Sequence, residues 1–161
     1  MFNAIEVKKL GRGQDDPFQV QVALGGPKVN LVDVGYGVSQ ALPVIVQSVL
    51  RKDGNLMLIQ QPEVHLHPRA QAALGTFFAE LTGIGHTTLL VETHSDYLVD
   101  RVRQEVAAGK LKPEQVQILF FSKEKLVTSV EPLEIDPQGN VINAPEHYRQ
   151  FFLEEELNLL R

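Results

Sequence analysis

The stretch from Leu56 to Pro68, LMLIQQPEVHLHP, constrains the fold more than any other part of this chain. Four apolar residues run directly into Gln60 and Gln61, then Pro62 and Glu63, with His65 and His67 beyond. An apolar run this short, bounded by Gly54-Asn55 and Pro62, has the pattern of a strand buried on both faces, as in a parallel sheet. In open α/β sheets, ligands collect just beyond the carboxyl ends of the strands. Gln60, Gln61 and Glu63 are therefore expected to stand where the chemistry is.

The flanking sequence supplies the helices such a sheet requires. Residues 4–9 and 18–24 read as strands joined by a turn-rich link, and Phe18, Val20 and Val22 alternate with polar or small residues as in a half-exposed antiparallel strand. Leu42, Ile45, Val46, Val49 and Leu50 fall at helical spacing, which predicts a helix over about 39–52 with Ser39 as N-cap and Pro43 near its first turn. Pro68 suits the first position of a second helix reaching Gly83. Residues 87–91 form another apolar strand that stops at Glu92-Thr93-His94-Ser95-Asp96. Ser95 or Asp96 then caps a helix ending near Gly109. Residues 116–121 read as a third buried strand, 126–135 as an alternating one, 136–140 as a turn, and 145–161 as a short helix. The order βαβαβαβ with short links implies an α/β fold: a three-layer, mainly parallel sheet with antiparallel additions at both ends.

Composition narrows the class of function. The chain has 161 residues, 43% of them hydrophobic and 22% charged, which suits a single globular core and not a disordered segment. A net charge of -5 argues against a general nucleic-acid coat, and the small basic groups Lys8-Lys9-Arg12 and Arg101/Arg103 read as solvated surface. With no cysteine there is neither a disulfide framework nor a thiolate metal site. No apolar run nears the ~20 residues of a membrane span, and no signal-peptide pattern follows Met1. A cytoplasmic location is the expectation.

Three places could carry chemistry. The first is Asp33-Val-Gly35-Tyr-Gly37-Val-Ser39-Gln40, where glycines lead into a helix start that offers open N–H groups and the positive end of a dipole. The plainer reading is a loop that needs glycine torsions. The second is the Gln60-Gln61-Pro62-Glu63 strand end. The third is Thr93-His94-Ser95, which puts an imidazole one βα unit further along the same edge. A metal site built from His65, His67 and His94 is disfavoured, because side chains at i and i+2 of an extended segment point to opposite faces.

From about Val29 to Arg161 the chain resembles the C-terminal half of ABC-type ATPases of the RecF/SMC-like and OLD-like group. It is especially similar to bacterial AAA-domain proteins that end in a small C-terminal module. Gly35-Tyr-Gly37-Val-Ser39-Gln40 looks like the signature motif, which in that family contacts the γ-phosphate bound by the opposite subunit. Residues 56–61 look like the Walker B strand, Leu66-His67-Pro68 occupies the D-loop, and Thr93-His94-Ser95 looks like the switch histidine. The resemblance implies residues 1–135 as a C-terminal ATPase lobe and 136–161 as a small helical module packed on it. It also implies ATP and Mg²⁺ as cofactors, with position 60 as the metal ligand and Glu63 as a possible further one. Position 61 would orient water and His94 would sense or stabilise the phosphate. The partners it implies are a second copy or a P-loop-bearing N-terminal half, with a nuclease or DNA-associated protein by analogy.

The sequence departs from that family pattern in two ways. Gln60 and Gln61 stand where carboxylates are expected, and an amide offers a neutral oxygen that cannot act as a base. There is also no G-x-x-x-x-G-K-[ST] loop: the single Gly-Lys pair, Gly109-Lys110, is followed by Leu111 and has Gln104 where the upstream glycine belongs. In the resembled fold the P-loop strand lies between the strands at 87–91 and 116–121. Lacking it, those two edges are expected to pair with each other directly or to be completed by an N-terminal fragment or a second copy. The expected function is a partial ATP-binding head. The alternative is a non-catalytic interaction domain that retains the fold.

Overall fold

The computed structural model describes residues 4–23, 25–50, 56–84, 87–145, 148–149 and 157–158. The chain divides into two compact units, Met1–Arg101 and Val102–Arg161.

The first unit opens with an antiparallel sheet of β1 (Ala4–Lys9), β2 (Phe18–Ala23) and β3 (Val29–Asn30) in that order. The register runs from Ala4 opposite Ala23 to Lys9 opposite Phe18. Both predicted strands are there, and alternation places Val22 wholly out of solvent. A 3-10 turn over Leu31–Asp33 then leads to α1 (Tyr36–Leu50). After it come β4 (Leu56–Gln60), α2 (Pro68–Ile84), β5 (Thr88–Glu92) and α3 (Asp96–Ala107). Strands β4 and β5 are parallel and in register from Leu56–Thr88 to Gln60–Glu92. Pro68 is the first residue of α2, as its missing N–H and fixed φ favour.

Two expectations about this unit are corrected. Helix α1 begins at Tyr36, three residues before the predicted cap at Ser39. Gly35, at φ +101°, turns the chain abruptly out of the 3-10 turn and lets the helix start at once. Ser39 then lies inside the first turn, its N–H donating to Gly35 O at 3.4 Å and its hydroxyl to Leu31 O at 3.2 Å. Pro43 consequently falls in the helix interior. The second correction concerns β4, which is buried on one face only. Met57 and Ile59 are 7% and 6% exposed, whereas Leu56 and Leu58 are 54% and 69% exposed. On β5, Leu90 shares the open face, also at 54%.

In the second unit, β6 (Ile118–Glu124) and β7 (Val127–Leu133) form an antiparallel hairpin that turns at Lys125, φ +53°. The predicted strand at 116–121 therefore starts two residues later and pairs antiparallel, because a two-residue link can join only antiparallel neighbours. Leu111, Leu133 and Ile135 are buried here. Ile135 bridges to Val141 around a turn that the Asp136 carboxylate organises, accepting from the N–H groups of Gln138 (2.9 Å) and Asn140 (2.8 Å) and from Asn140 Nδ2 (3.0 Å). Those bonds, the Asn140 side chain first, hold the Asp136 carboxyl below its ordinary range. Gly109, at φ +72°, ends α3 as predicted. The helix expected over 145–161 lies almost wholly outside the described residues, though Tyr148 packs edge-on against Phe120 with ring centroids 5.4 Å apart. Among the described residues β5 pairs with β4 and β6 pairs with β7.

Candidate functional site

Strand β4 ends because its backbone turns. Gln61 extends the ladder by one bond, its N–H donating to Glu92 O at 2.8 Å, and then adopts φ +44°. Two tight turns follow, Val64 N–H to Gln61 O at 3.3 Å and Leu66 N–H to Glu63 O at 2.9 Å, with His65 at φ +63°. Left-handed torsions on two non-glycine residues cost about 1–2 kcal/mol each. Such strain persists where surrounding structure holds it, commonly at functional sites.

What holds it here is a set of polar bonds to the loop after β5. Glu63 is buried at 7% exposure, and its Oε1 accepts the backbone N–H of His94 at 2.8 Å. Its Oε2 is buried without a hydrogen bond among the described residues. A second link runs through Gln71 on α2, whose Nε2 donates to Leu66 O at 2.8 Å and whose Oε1 accepts from Ser95 Oγ at 2.5 Å. Ser95 Oγ in turn accepts the N–H of Leu98 at 3.1 Å, which is the predicted N-cap of α3. His67 heads α2: its carbonyl accepts from Ala70 at 2.7 Å and its Nδ1 from the Arg69 N–H at 3.3 Å.

The start of α1 rests on the same loop. A Cβ added at Gly37 would lie 2.3 Å from His65 O and 3.2 Å from Leu66 Cδ2, so only glycine fits. The neighbouring Tyr36 ring meets the His65 ring edge-on at 4.8 Å. The three stretches singled out in the sequence thus converge: the α1 start touches the loop after β4, and that loop is bonded to the loop after β5.

Within this rim the residues differ in how they are presented. Gly35 and Gln40 are exposed at the start of α1, and Ser39 is half-buried with its hydroxyl bonded to backbone carbonyls. Gln60 and His94 are exposed, Gln61 half-buried, Leu66 half-buried and His67 exposed. Glu63 is turned inward to His94. Sequence reasoning passed over Gln71 and Glu92. Gln71 carries no local signal, since its partners are 5 and 24 residues away. Glu92 was legible only with the strand register in hand, which sets it directly beside Gln60. Among the described residues no group of three or more His, Asp or Glu side chains is arranged to hold a metal ion. Among them, too, no helix is long and apolar enough to cross a membrane.

Comparison with known proteins agrees with this architecture. A solved structure described by the words "Structural biochemistry of ATP-driven dimerization and DNA stimulated activation of SMC ATPases" superposes with a TM-score of 0.60 at 11% identity, covering 97% of this chain and 83% of that one. The fold is thus similar to that of an SMC ATPase. No curated protein matches by sequence. The family model described as "AAA domain, putative AbiEii toxin, Type IV TA system" matches residues 2–100, nearly the whole of the first compact unit. Residues 2–100 make up more than half of the chain, and on that match the protein belongs to this AAA-domain family of ATPases.

Proposed function

We propose that this chain is the C-terminal lobe of an ABC-type ATP-binding head and completes a composite ATP site with a P-loop-bearing lobe. Residues 1–135 form the lobe in this reading, and 136–161 a module appended to it. Gly35, Gly37, Ser39 and Gln40 present the signature edge to a nucleotide held by an opposing subunit. The backbone N–H groups of Tyr36, Gly37 and Val38 precede the first intrahelical bond, made by Ser39, and so lie at the positive end of the α1 dipole. Gln61 orients water and His94 contacts the phosphate, with the D-loop residues Leu66 and His67 between the two edges.

The observation that carries this reading is the convergence itself. Gly37 sits against the His65 carbonyl, and Glu63 holds the N–H of His94. A rim so tied fixes groups in place before a ligand arrives, and positioning plus electrostatics supply most of the catalysis in phosphoryl transfer. Gln60 alone suits Mg²⁺ poorly, since a hard cation favours charged oxygen. The cation would be held chiefly by the nucleotide's phosphates and by water.

Titration with Mg-ATP tests the proposal, first on the chain alone and then with an added P-loop lobe of the same family. Weak or absent binding alone and saturable binding with the lobe is the expected result, with turnover rising when Gln60→Glu restores the carboxylate. If neither binding nor turnover appears with the lobe and Gln60→Glu present, the reading fails in favour of a non-catalytic interaction domain that keeps the fold.

A further inference from the structure

We propose that β1 pairs edge to edge with β1 of a second copy of this chain, antiparallel about a two-fold axis at Val7, and that this contact forms without nucleotide. Among the described residues β1 has a neighbouring strand on one side only, since the sheet order is β1-β2-β3. All of its residues are exposed, the apolar Ile5 and Val7 at 45% and 61%. A bare strand edge is a template for another strand. What singles out the occupant is that β1 matches itself, in backbone and in charge.

The backbone restricts the register first. Leu10 N–H donates to Pro17 O at 2.9 Å, one step beyond the Lys9–Phe18 register pair. Hydrogen-bonded and non-hydrogen-bonded pairs alternate along an antiparallel ladder. Ala4, Glu6 and Lys8 therefore bond to β2, while Ile5, Val7 and Lys9 turn their N–H and C=O groups to the open edge. A second β1 can bond there only if its own outward residues stand opposite these, odd-numbered positions facing odd-numbered ones.

Charge then chooses among the registers that remain. Centred on Glu6, the pair sets Glu6 against Glu6; centred on Lys8, it sets Lys8 against Lys8; centred on Ile5, it leaves half of the strand unpaired. Centred on Val7, it joins Val7 to Val7 and Ile5 to Lys9 through hydrogen-bonded pairs. Glu6 then faces Lys8 of the second copy, and Lys8 faces Glu6. These two charge pairs fall at the non-hydrogen-bonded positions, where opposed side chains come closest and opposite charges stabilise. The ion pair of Glu6 with Lys28 runs through Oε2 and leaves the group half exposed, so a second ammonium can reach it. The result is a closed, isologous contact. It uses no residue of the rim described above and does not rest on the ATP-site reading.

Sedimentation velocity of the full chain over a concentration series, with no nucleotide added, tests the proposal. A monomer–dimer equilibrium is expected. Glu6→Lys and Lys8→Glu each set like charges opposite each other, and each alone should raise the dissociation constant by about ten-fold. An equimolar mixture of the two variants should associate as the parent does, because every carboxylate then faces an ammonium. Val7→Pro removes an N–H that points to the open edge and none that bonds to β2, a position where an edge strand tolerates proline. It should abolish the dimer while leaving the circular dichroism spectrum of the parent. A chain that stays monomeric at every concentration overturns the proposal. So does a dimer indifferent to the single charge reversals, or one that mixing the two variants does not restore. With nucleotide absent throughout, this result and the Mg-ATP titration stand or fall separately.

Discussion

At the scale of single residues, two positions on the rim are set by contact. A side chain at Gly37 would meet backbone, which cannot move aside as a flexible side chain can. Gly37→Ala should therefore cost about 1–3 kcal/mol in urea unfolding, as overpacking does. Gly35→Ala meets nothing within 4 Å but must adopt φ +101°, and its cost should be the torsional one alone, about 1–2 kcal/mol. Glu63 separates hydrogen bonding from charge. Glu63→Gln keeps an oxygen to accept from His94 while replacing a second oxygen that has no hydrogen bond among the described residues. Its stability should match or exceed that of the parent, whereas Glu63→Ala should lose about 1–3 kcal/mol by stranding the His94 N–H. Chemical denaturation of the two variants side by side checks this. Gly37, Glu63 and His94, which meet around the loop after β4, stand out in sequence because glycines before a helix and polar groups after an apolar run carry local signals. Glu92 and Gln71 do not, since their importance comes from neighbours brought close only by folding.

At the scale of elements, the strands at 4–9, 18–23 and 56–60 and the helix from Pro68 were readable because period and punctuation agree there. The start of α1 was misplaced because Ser39 carries the residue type of an N-cap. A left-handed Gly35 starts the helix earlier and turns that hydroxyl back to the Leu31 and Gly35 carbonyls. The 116–121 run reads as a third buried strand from its hydrophobicity, and the short Lys125-Leu126 link makes it one arm of a hairpin. The Asp136 turn gives a pH prediction at this scale. Its carboxyl is held below the ordinary value by Asn140, then by Gln138 and Arg103. The stabilisation is thus present above the unfolded pKa of about 3.9 and is lost as pH falls through the lower folded value. Amide exchange at Gln138 and Asn140, corrected for intrinsic rates, should accelerate in acid, and Asp136→Ala should show the faster exchange already at neutral pH.

At the scale of the whole molecule, β4 and β5 present one open, apolar face. Parallel sheets are ordinarily covered on both sides, yet Leu56, Leu58 and Leu90 remain more than half exposed. Leu58→Lys should therefore leave the stability of the isolated chain within about 0.5 kcal/mol, as exposed substitutions do, while abolishing association with a P-loop lobe in sedimentation or mixing calorimetry. Loss of folding in this variant, or undiminished association, would remove that face from the interface. The order of strands and helices foretold an α/β fold and the motif resemblance an ATPase-like one, but neither foretold that Leu56, Leu58 and Leu90 would be exposed, because local periodicity carries no record of what covers a sheet face.

The double tether between the two loops, Glu63 to His94 and Leu66 through Gln71 to Ser95, has a mechanical consequence. With the α1 start wedged against His65, none of the three segments can shift alone. A load applied at one corner is borne by all, so the crown of this sheet behaves as a single stiff plate.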